Sequence, residues 1–354
     1  MPRLQIGRCI VPSYSVIDSD SERKHYKLRM YETWTRKKVK RSCGECMFPG
    51  CNPVSISRVC VESLRGSSYV MALKSDGVRY ALFLTLRADG SPIALMVDRS
   101  WNMYEVEVLA PEAFFARETI LEGELVWKQP DETQLIFLVF DAIVVKGEHL
   151  CAHPFERRFA EAHKCTYLSN ELTVLGADDL EQRVLESGAI AMVHYDPPIS
   201  MRPKCFVQVS HATGLWSSRT DLDHRVDGVI LARQHSAYTL GTAYDKSSLK
   251  WKPHSTIDLH GPDDRLLMQN DEPVPPKISE LHVVVDPSVV PCMGLREFLV
   301  TIDATHVRLF AIRLRTDKAH ANSRKVVEAT IQDVIDNVTL NDIASASSDL
   351  ADRA

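Results

Sequence analysis

Six residues, Lys74-Ser75-Asp76-Gly77-Val78-Arg79, stand between two apolar runs and constrain this chain more than any other segment. An Asp-Gly pair between apolar stretches is a tight-turn signal, so Ser68–Leu73 and Arg79–Leu86 are expected to be its flanking strands. Lys74 then falls at a strand end, where the backbone is rigid and the side chain can face a cleft.

The same reasoning extends along the chain. Ala94–Asp98 with Met103–Val108 reads as a further hairpin, and Thr119–Val126 and Leu135–Val145 as two more strands separated by Gln129-Pro130-Asp131. Pro154–Tyr167 and Asp179–Ser187 carry helical patterns. After Cys205–Val209, a strand is expected at Val226–Ala232, opening on Asp227-Gly228. Gly261–Lys277 is rich in Pro, Asp and Asn and reads as a loop. Short strands at Leu281–Val285, Glu297–Ile302 and Val307–Leu314 suggest a small barrel. Arg324–Val338 is expected to be an amphipathic helix, and 345–354 a frayed tail.

With 354 residues, 45% of them hydrophobic, the chain can bury one large core or two modest ones. No run of about 18 apolar residues occurs, so no membrane span is expected, and Met1-Pro2-Arg3 leads into no signal-peptide hydrophobic region. The net charge is −5, yet residues 1–42 hold 11 Lys/Arg against 4 Asp/Glu. That contrast reads either as a basic arm for a polyanion or as a solvated segment. Arg36-Lys37-Lys38-Val39-Lys40-Arg41 also fits a nuclear-import pattern. Nine cysteines without a secretory signal point to reduced thiols. Among them Cys43, Cys46, Cys51 and Cys60 cluster, but only Cys43 and Cys46 have a zinc-like spacing and no His completes the pattern, so free thiols are favoured.

The motifs acquire chemical meaning together. Leu249-Lys250-Trp251-Lys252-Pro253 and Arg313-Leu314-Arg315-Thr316-Asp317-Lys318 follow Lys74 in order. A nucleophilic lysine must be neutral, although its reference pKa is about 10.4. Converging cations, for which Arg79, Lys250 and Lys252 are candidates, lower that value and also neutralise a phosphate. Carboxylates such as Glu124 and Asp227 can hold a divalent metal through oxygen. The set describes a lysine that attacks a nucleotide α-phosphate and passes the nucleotide on.

The ordered pattern resembles the covalent nucleotidyltransferase superfamily, and within it the GTP:RNA guanylyltransferases of mRNA capping, from about Phe48 to about Val338. Besides Lys74–Tyr80, the resemblance is carried by Thr119–Val126, Phe137–Ala142, Asp227–Ile230, Leu249–Pro253 and Arg315–Lys318. Three features are similar to capping enzymes rather than to ligases: Phe48-Pro49-Gly50-Cys51-Asn52-Pro53-Val54-Ser55, Tyr238-Thr239-Leu240-Gly241-Thr242, and Trp251-Lys252-Pro253 with Thr256-Ile257-Asp258 downstream. Glu122 stands where an Asp is commoner.

The resemblance implies an α+β fold: a nucleotidyltransferase domain of antiparallel sheets with helices, ATP-grasp-like, over 1–256, and a C-terminal OB-fold β-barrel over 257–323. A helix at 324–340 would pack back on the first domain, and 345–354 would be a flexible tail. It implies lysyl–GMP at Lys74, ribose contacts from Arg79 and Glu124, and guanine stacking on Phe140. Lys204 would meet the guanine carbonyl. Glu124 and Asp227 would bind Mg²⁺ or Mn²⁺, Lys250 and Lys252 would grip phosphates, and Arg315, Asp317 and Lys318 would orient the β- and γ-phosphates. The implied substrates are GTP and a 5′-diphosphate RNA end, the product GpppN-RNA. An RNA triphosphatase, a cap methyltransferase and a phosphorylated RNA polymerase II tail are the implied partners, the first two as separate polypeptides, since the chain is too short to add either. The expected location is the nucleus for a cellular protein and the cytoplasm for a cytoplasmic virus. Two rival classes share parts of the pattern: an ATP-dependent polynucleotide ligase and a non-catalytic RNA-end-binding module.

Overall fold

The longest strand, Leu135–Val145, is almost wholly buried, as a near-continuous Ile/Leu/Val/Phe run requires. It lies in a sheet whose strands run Glu148–His149, Leu135–Val145, Thr119–Trp127, Val78–Leu86, Pro92–Asp98, Met103–Val106 and Ser15–Val16, each antiparallel to its neighbour, with Ile199–Pro203 added parallel to Leu135–Val145. The structure, a computed structural model, describes residues 4–6, 9–11, 15–39, 46–65, 67–166, 184, 186–192, 199–241, 247–261, 266–286, 294–316 and 318–348. The lysine strand, Tyr69–Ser75, lies between Val207–Gln208 and Val226–Arg233, antiparallel to both. The fold is thus mixed α and β, with mainly antiparallel sheets.

The chain divides into two units. One comprises residues 1–54 and 68–248, the other 55–67 and 249–354. The expected boundary at 256/257 is therefore corrected in two ways. Residues 249–256 belong to the second unit, and so does the short helix Arg58–Leu64. The reason for the latter is local: Arg58 donates through Nε to the Asp336 carbonyl at 2.7 Å and through Nη2 to the Asn337 carbonyl at 2.9 Å.

The second unit has a five-stranded sheet in the order Ser255–His260, Leu295–Ile302, His306–Leu314, Leu281–Val285, Lys277–Ile278. Its core of Ile257, Leu259, Phe298, Val300, Val307 and Leu309 is completed by Val327 and Ile331 from helix Arg324–Asp336. That helix was expected to pack on the first domain; its apolar stripe instead closes the second unit's core. Nor is 345–354 all tail, because helix Leu340–Ser348 takes in its first four residues and buries Ile343 and Ala346. The remainder, 349–354, lies outside the described residues.

The basic N-terminal stretch is likewise more than an arm. Ser19 caps helix Asp20–Thr35, accepting from the Glu22 amide, and Tyr26, Met30 and Trp34 are buried at i, i+4, i+8 spacing. Residues 36–39 continue without regular structure, and 40–45 lie outside the described residues. So do 179–183 and 185 of the expected second helix, although Val184, Glu186 and Ser187 are helical.

Candidate active site

The turn Asp76-Gly77 brings the lysine strand directly into Val78–Leu86 of the large sheet. Gly77 is required by proximity: a Cβ there would lie 2.4 Å from the Leu125 carbonyl oxygen and 2.6 Å from Val126 Cγ1. The two larger sheets therefore meet at this hairpin, beside a cavity of about 480 Å³ lined by Lys74, Arg79, Glu122, Glu124, Phe140 and Lys204, among others. That volume is ordinary for a nucleotide-sized ligand.

Lys74 Nζ is ion-paired with Asp227 Oδ1 at 2.6 Å. Asp227 owes its direction to a bulge. Val226 pairs with Ser75 and Gly228 with Lys74, which leaves Asp227 as the extra residue of its strand. Phe140 arises in the same way on the opposite wall: Asp141 pairs with Glu122 and Val139 with Gly123, so Phe140 is the unpaired residue between them. It is the one half-buried side chain within Leu135–Val144, where every neighbour is buried. Glu124 pairs in register with Arg79.

Lys204 enters from a third element. Its amide donates to the Val139 carbonyl at 2.8 Å, continuing the Ile199–Pro203 ladder past its end. Its ammonium donates to Ser75 Oγ at 3.1 Å and meets Glu124 Oε2 at 3.4 Å. Burial lowers the Lys204 pKa below the usual lysine value, and Glu124 opposes that shift. Lys204 thus joins the cavity lining through both its backbone and its ammonium.

Arg79 was expected to contribute free charge toward Lys74. Instead its guanidinium is committed to Glu122, with Nε 3.0 Å from Oε1 and Nη2 also bonded to that oxygen. Arg79 also donates to the Cys51 carbonyl and lies 5.4 Å over the Phe140 ring. Tyr238 donates its hydroxyl to Glu122 Oε2 and accepts from the Cys51 amide at 2.9 Å. Burial raises the Glu122 pKa, with Arg79 and Tyr238 pulling it back down. Gly50 is needed at this crossing, because a Cβ would sit 2.8 Å from Arg79 Nη2 and 2.9 Å from Glu122 Oε1. A second buried pair, Asp141 with Arg158 at 2.9 and 3.0 Å, stands behind Phe140.

The remaining candidates lie in the second unit. Lys250 and Lys252 line a cavity of about 420 Å³ with Trp251 and Asp333. Trp251 Nε1 donates to the Val338 carbonyl at 2.7 Å, and the Lys250 carbonyl accepts from the Ile56 amide at 2.9 Å. Arg315 Nη1 bonds Asp258 Oδ1 at 3.0 Å and approaches Glu297 Oε1 at 3.5 Å, while Lys318 Nζ bonds Asp258 Oδ2. Asp317 lies outside the described residues.

Sequence reasoning passed over three participants: Glu122 as a buried anchor, Ser75 and His224. Glu122 had a signal, since a charged residue at an inward position of a β run needs a partner. Ser75 and His224 had none, because they meet only through cross-strand pairing.

Among the described residues no three His, Cys, Asp or Glu side chains form a metal cage. Glu124 and Asp227 still fit a hard divalent cation that takes one or two carboxylates and completes its shell with phosphate and water. The described cysteines of the N-terminal cluster, Cys46, Cys51 and Cys60, are in no disulfide, and Cys43 lies outside the described residues.

A lysine amine, two separate carboxylates and one aromatic face thus line a single cavity of nucleotide size. The chain belongs to the family described as mRNA capping enzyme, catalytic domain, which matches residues 15–254. It is 29% identical to the mRNA-capping enzyme subunit alpha of Neurospora crassa, over 63% of this chain and 56% of that protein. The Schizosaccharomyces pombe subunit alpha is 24% identical, over 84% and 79% respectively. The mRNA-capping enzyme of Caenorhabditis elegans is 26% identical over 63% of this chain, which spans 35% of that relative. Among solved structures, a mycobacterial DNA ligase D with ATP overlays at a TM-score of 0.39 and 14% identity, over 75% of this chain and 95% of that one, too loosely to bear on function. No helix among the described residues is long and apolar enough to cross a membrane.

Proposed function

We propose that this chain is an mRNA guanylyltransferase that moves GMP from GTP, through lysyl–GMP, to a 5′-diphosphate RNA end. The observation that carries the reading is Lys74 Nζ held at the cavity wall by a bulge-directed carboxylate, within a capping-enzyme catalytic-domain match. In the first step the Lys74 amine attacks the α-phosphorus. The P–N bond forms as the bond to the β-phosphate breaks and pyrophosphate leaves. Asp227 is the nearest oxygen to receive the lysine proton. In the second step a terminal phosphate oxygen of the RNA attacks the same phosphorus, the P–N bond breaks, and Lys74 recovers a proton.

Phe140 offers its face to the base, and Lys204 offers its ammonium to the guanine carbonyl. Arg79, immobilised by Glu122, and Glu124 face the ribose. Lys250 and Lys252 grip phosphates, and Arg315, Asp317 and Lys318 orient the β- and γ-phosphates; the second unit we read as an OB-fold on its five short strands and packed helix. A divalent cation bound by Glu124 and Asp227 would neutralise charge on the α-phosphate. RNA triphosphatase, cap methyltransferase and the phosphorylated polymerase tail are the proposed partners, and the nucleus the proposed site of action.

Incubation with α-labelled GTP or ATP followed by denaturing electrophoresis tests the reading. Label from GTP supports it. Label from ATP alone identifies a ligase, and no label with either identifies a binding module.

A further inference from the structure

From Lys204 a chain of side chains to which the transfer reaction gives no role, Ser75, His224 and Asp223, runs from the cavity into the protein. Lys204 Nζ lies 3.1 Å from Ser75 Oγ, Ser75 Oγ lies 3.0 Å from His224 Nε2, and His224 Nδ1 lies 3.3 Å from Asp223 Oδ1. Arg202 in turn holds Asp223. Ser75 is fully buried, and Lys204 and His224 are each 8% exposed.

The directions along this chain are forced. An ammonium only donates, so with Lys204 as the cation of Glu124, Ser75 Oγ accepts from it. At the other end the Asp223 carboxylate can only accept, so His224 Nδ1 donates to it, and in the neutral imidazole Nε2 accepts the Ser75 hydroxyl proton. That nitrogen is therefore the bare one, Nδ1 carries the hydrogen, and the hydrogen points to Asp223.

We infer that Ser75 and His224 are positioning residues that fix the Lys204 ammonium against the substrate base, so that the site selects a base with a carbonyl, rather than an amine, at its six-position. Two of the three Lys204 hydrogens are engaged by Ser75 and Glu124, which leaves the third for a ligand acceptor. A carbonyl completes this geometry. An exocyclic amine places a donor against a donor, in a buried setting where an unmatched polar contact is costly. The inference rests on the guanylyl-transfer reading and deepens it.

His224 protonation would undo the arrangement. Nε2 would become a donor, and the buried Ser75 hydroxyl would lose its acceptor. Burial keeps the His224 pKa below the usual histidine value. Of the charged groups facing it, Asp223 favours the proton, and Lys204 and Arg202 oppose it.

The test uses the full chain and compares kcat/KM for adduct formation from GTP with that from 2,6-diaminopurine riboside triphosphate, which keeps the two-amino group, carries an amine in place of the six-carbonyl and has no hydrogen on N1; the effect of the N1 change is common to wild type and variants. Ser75→Ala and His224→Ala should each cut the preference for GTP about tenfold, mainly through KM for GTP. Ser75→Thr keeps a hydroxyl and His224→Gln keeps an acceptor, so both should restore the preference. Below the usual histidine range the wild-type KM for GTP should rise with falling pH, and that rise should vanish in His224→Gln. This pH comparison decides the matter even where an alanine variant fails to fold. Wild-type preference in both alanine variants, or the same pH profile in wild type and His224→Gln, overturns the inference and leaves the transfer reading intact. A wild-type chain that forms no lysyl–GMP overturns the reading itself, and the inference with it.

Discussion

The cleft of the first unit and the Asp258 cluster of the second use the same chemistry to opposite ends. In the cleft, Lys74 meets Asp227 and Lys204 meets Glu124, one cation to one carboxylate, in a cavity that can admit a ligand. In the second unit the buried Asp258 takes both Arg315 and Lys318, and its backbone is further tied to Asn322, whose amide donates to the Asp258 carbonyl at 2.8 Å and whose Oδ1 accepts from the Asp258 amide at 2.7 Å. Arg315 is additionally shared with Glu297, itself held by Arg313 at 2.6 Å. Single pairs facing a cavity can exchange partners for a phosphate or a base. A multiply anchored buried carboxylate resists exchange, because removing a cation leaves charge in low dielectric. Lys74 and Lys204 can thus turn to a ligand by releasing a single carboxylate, whereas Arg315 and Lys318 can do so only by giving up bonds that also hold Asp258 in place.

The largest expected effect lies on the poised side. Lys74→Ala and Lys74→Arg should both abolish the covalent GMP adduct, since a guanidinium stays protonated and cannot attack. Both variants should fold, because Lys74 is a partly exposed residue with a single ion pair. An acid-labile, alkali-stable adduct surviving in either would remove Lys74 from the role.

Glu122→Ala probes the anchored floor of the same cleft. With Glu122 gone, Arg79 keeps the Cys51 carbonyl, a 3.4 Å contact to Tyr238 and its place over the Phe140 ring, but no carboxylate bond. Leaving a buried charge without its partner should cost roughly 3–5 kcal/mol, read from denaturant unfolding. A change within about 0.5 kcal/mol, the range of ordinary surface substitutions, would show that the floor is not built on this pair.

Arg315→Ala sharpens the contrast between units. Loss of its charged hydrogen bond to Asp258 should destabilise the protein by roughly 1.5–3 kcal/mol. Formation of the GMP adduct should fall, while pre-formed lysyl–GMP should still pass its nucleotide to diphosphate-ended RNA. Unchanged unfolding would mean that Asp258 is not a structural hub, and failed transfer would break the one-step assignment.

A smaller effect comes from pH. Burial lowers the pKa of both His224 and His149 below the unperturbed 6.5. Below that value the unfolded chain therefore binds protons that the folded chain does not, and stability falls as pH drops. His224→Gln should reduce this acid sensitivity, measured as the change in Tm between pH 7 and pH 5.5, and an identical slope in wild type and variant would exclude His224 as a contributor.

The smallest effect is expected where no cleft is involved. Neutralising Arg36, Lys37, Lys38, Lys40 and Arg41 together should leave adduct formation near wild type. If the run engages RNA, KM for RNA rises and its salt dependence flattens. If it serves nuclear import, a tagged protein stays in the cytoplasm instead.

The sequence by itself determined the parts that depend on neighbours along the chain. The Asp76-Gly77 turn, the strands on either side of it, the apolar run Leu135–Val145 and the order of lysines and carboxylates are all written in short-range spacing. Tertiary structure alone decided which of those residues meet. Lys74 and Asp227 are separated by 153 positions, and only cross-strand register brings them to 2.6 Å. Bulges at Phe140 and Asp227 turn two side chains out of their strands' alternation, and no spacing within either strand signals this. Helix Arg324–Asp336 was legible as amphipathic, but an apolar stripe specifies only that it needs a core, and the Val327 and Ile331 contacts decided that the core is the second unit's. Ser75 and His224 became connected for the same physical reason: a hydrogen-bond chain is set by distances in space, and those follow from pairing between strands far apart in sequence.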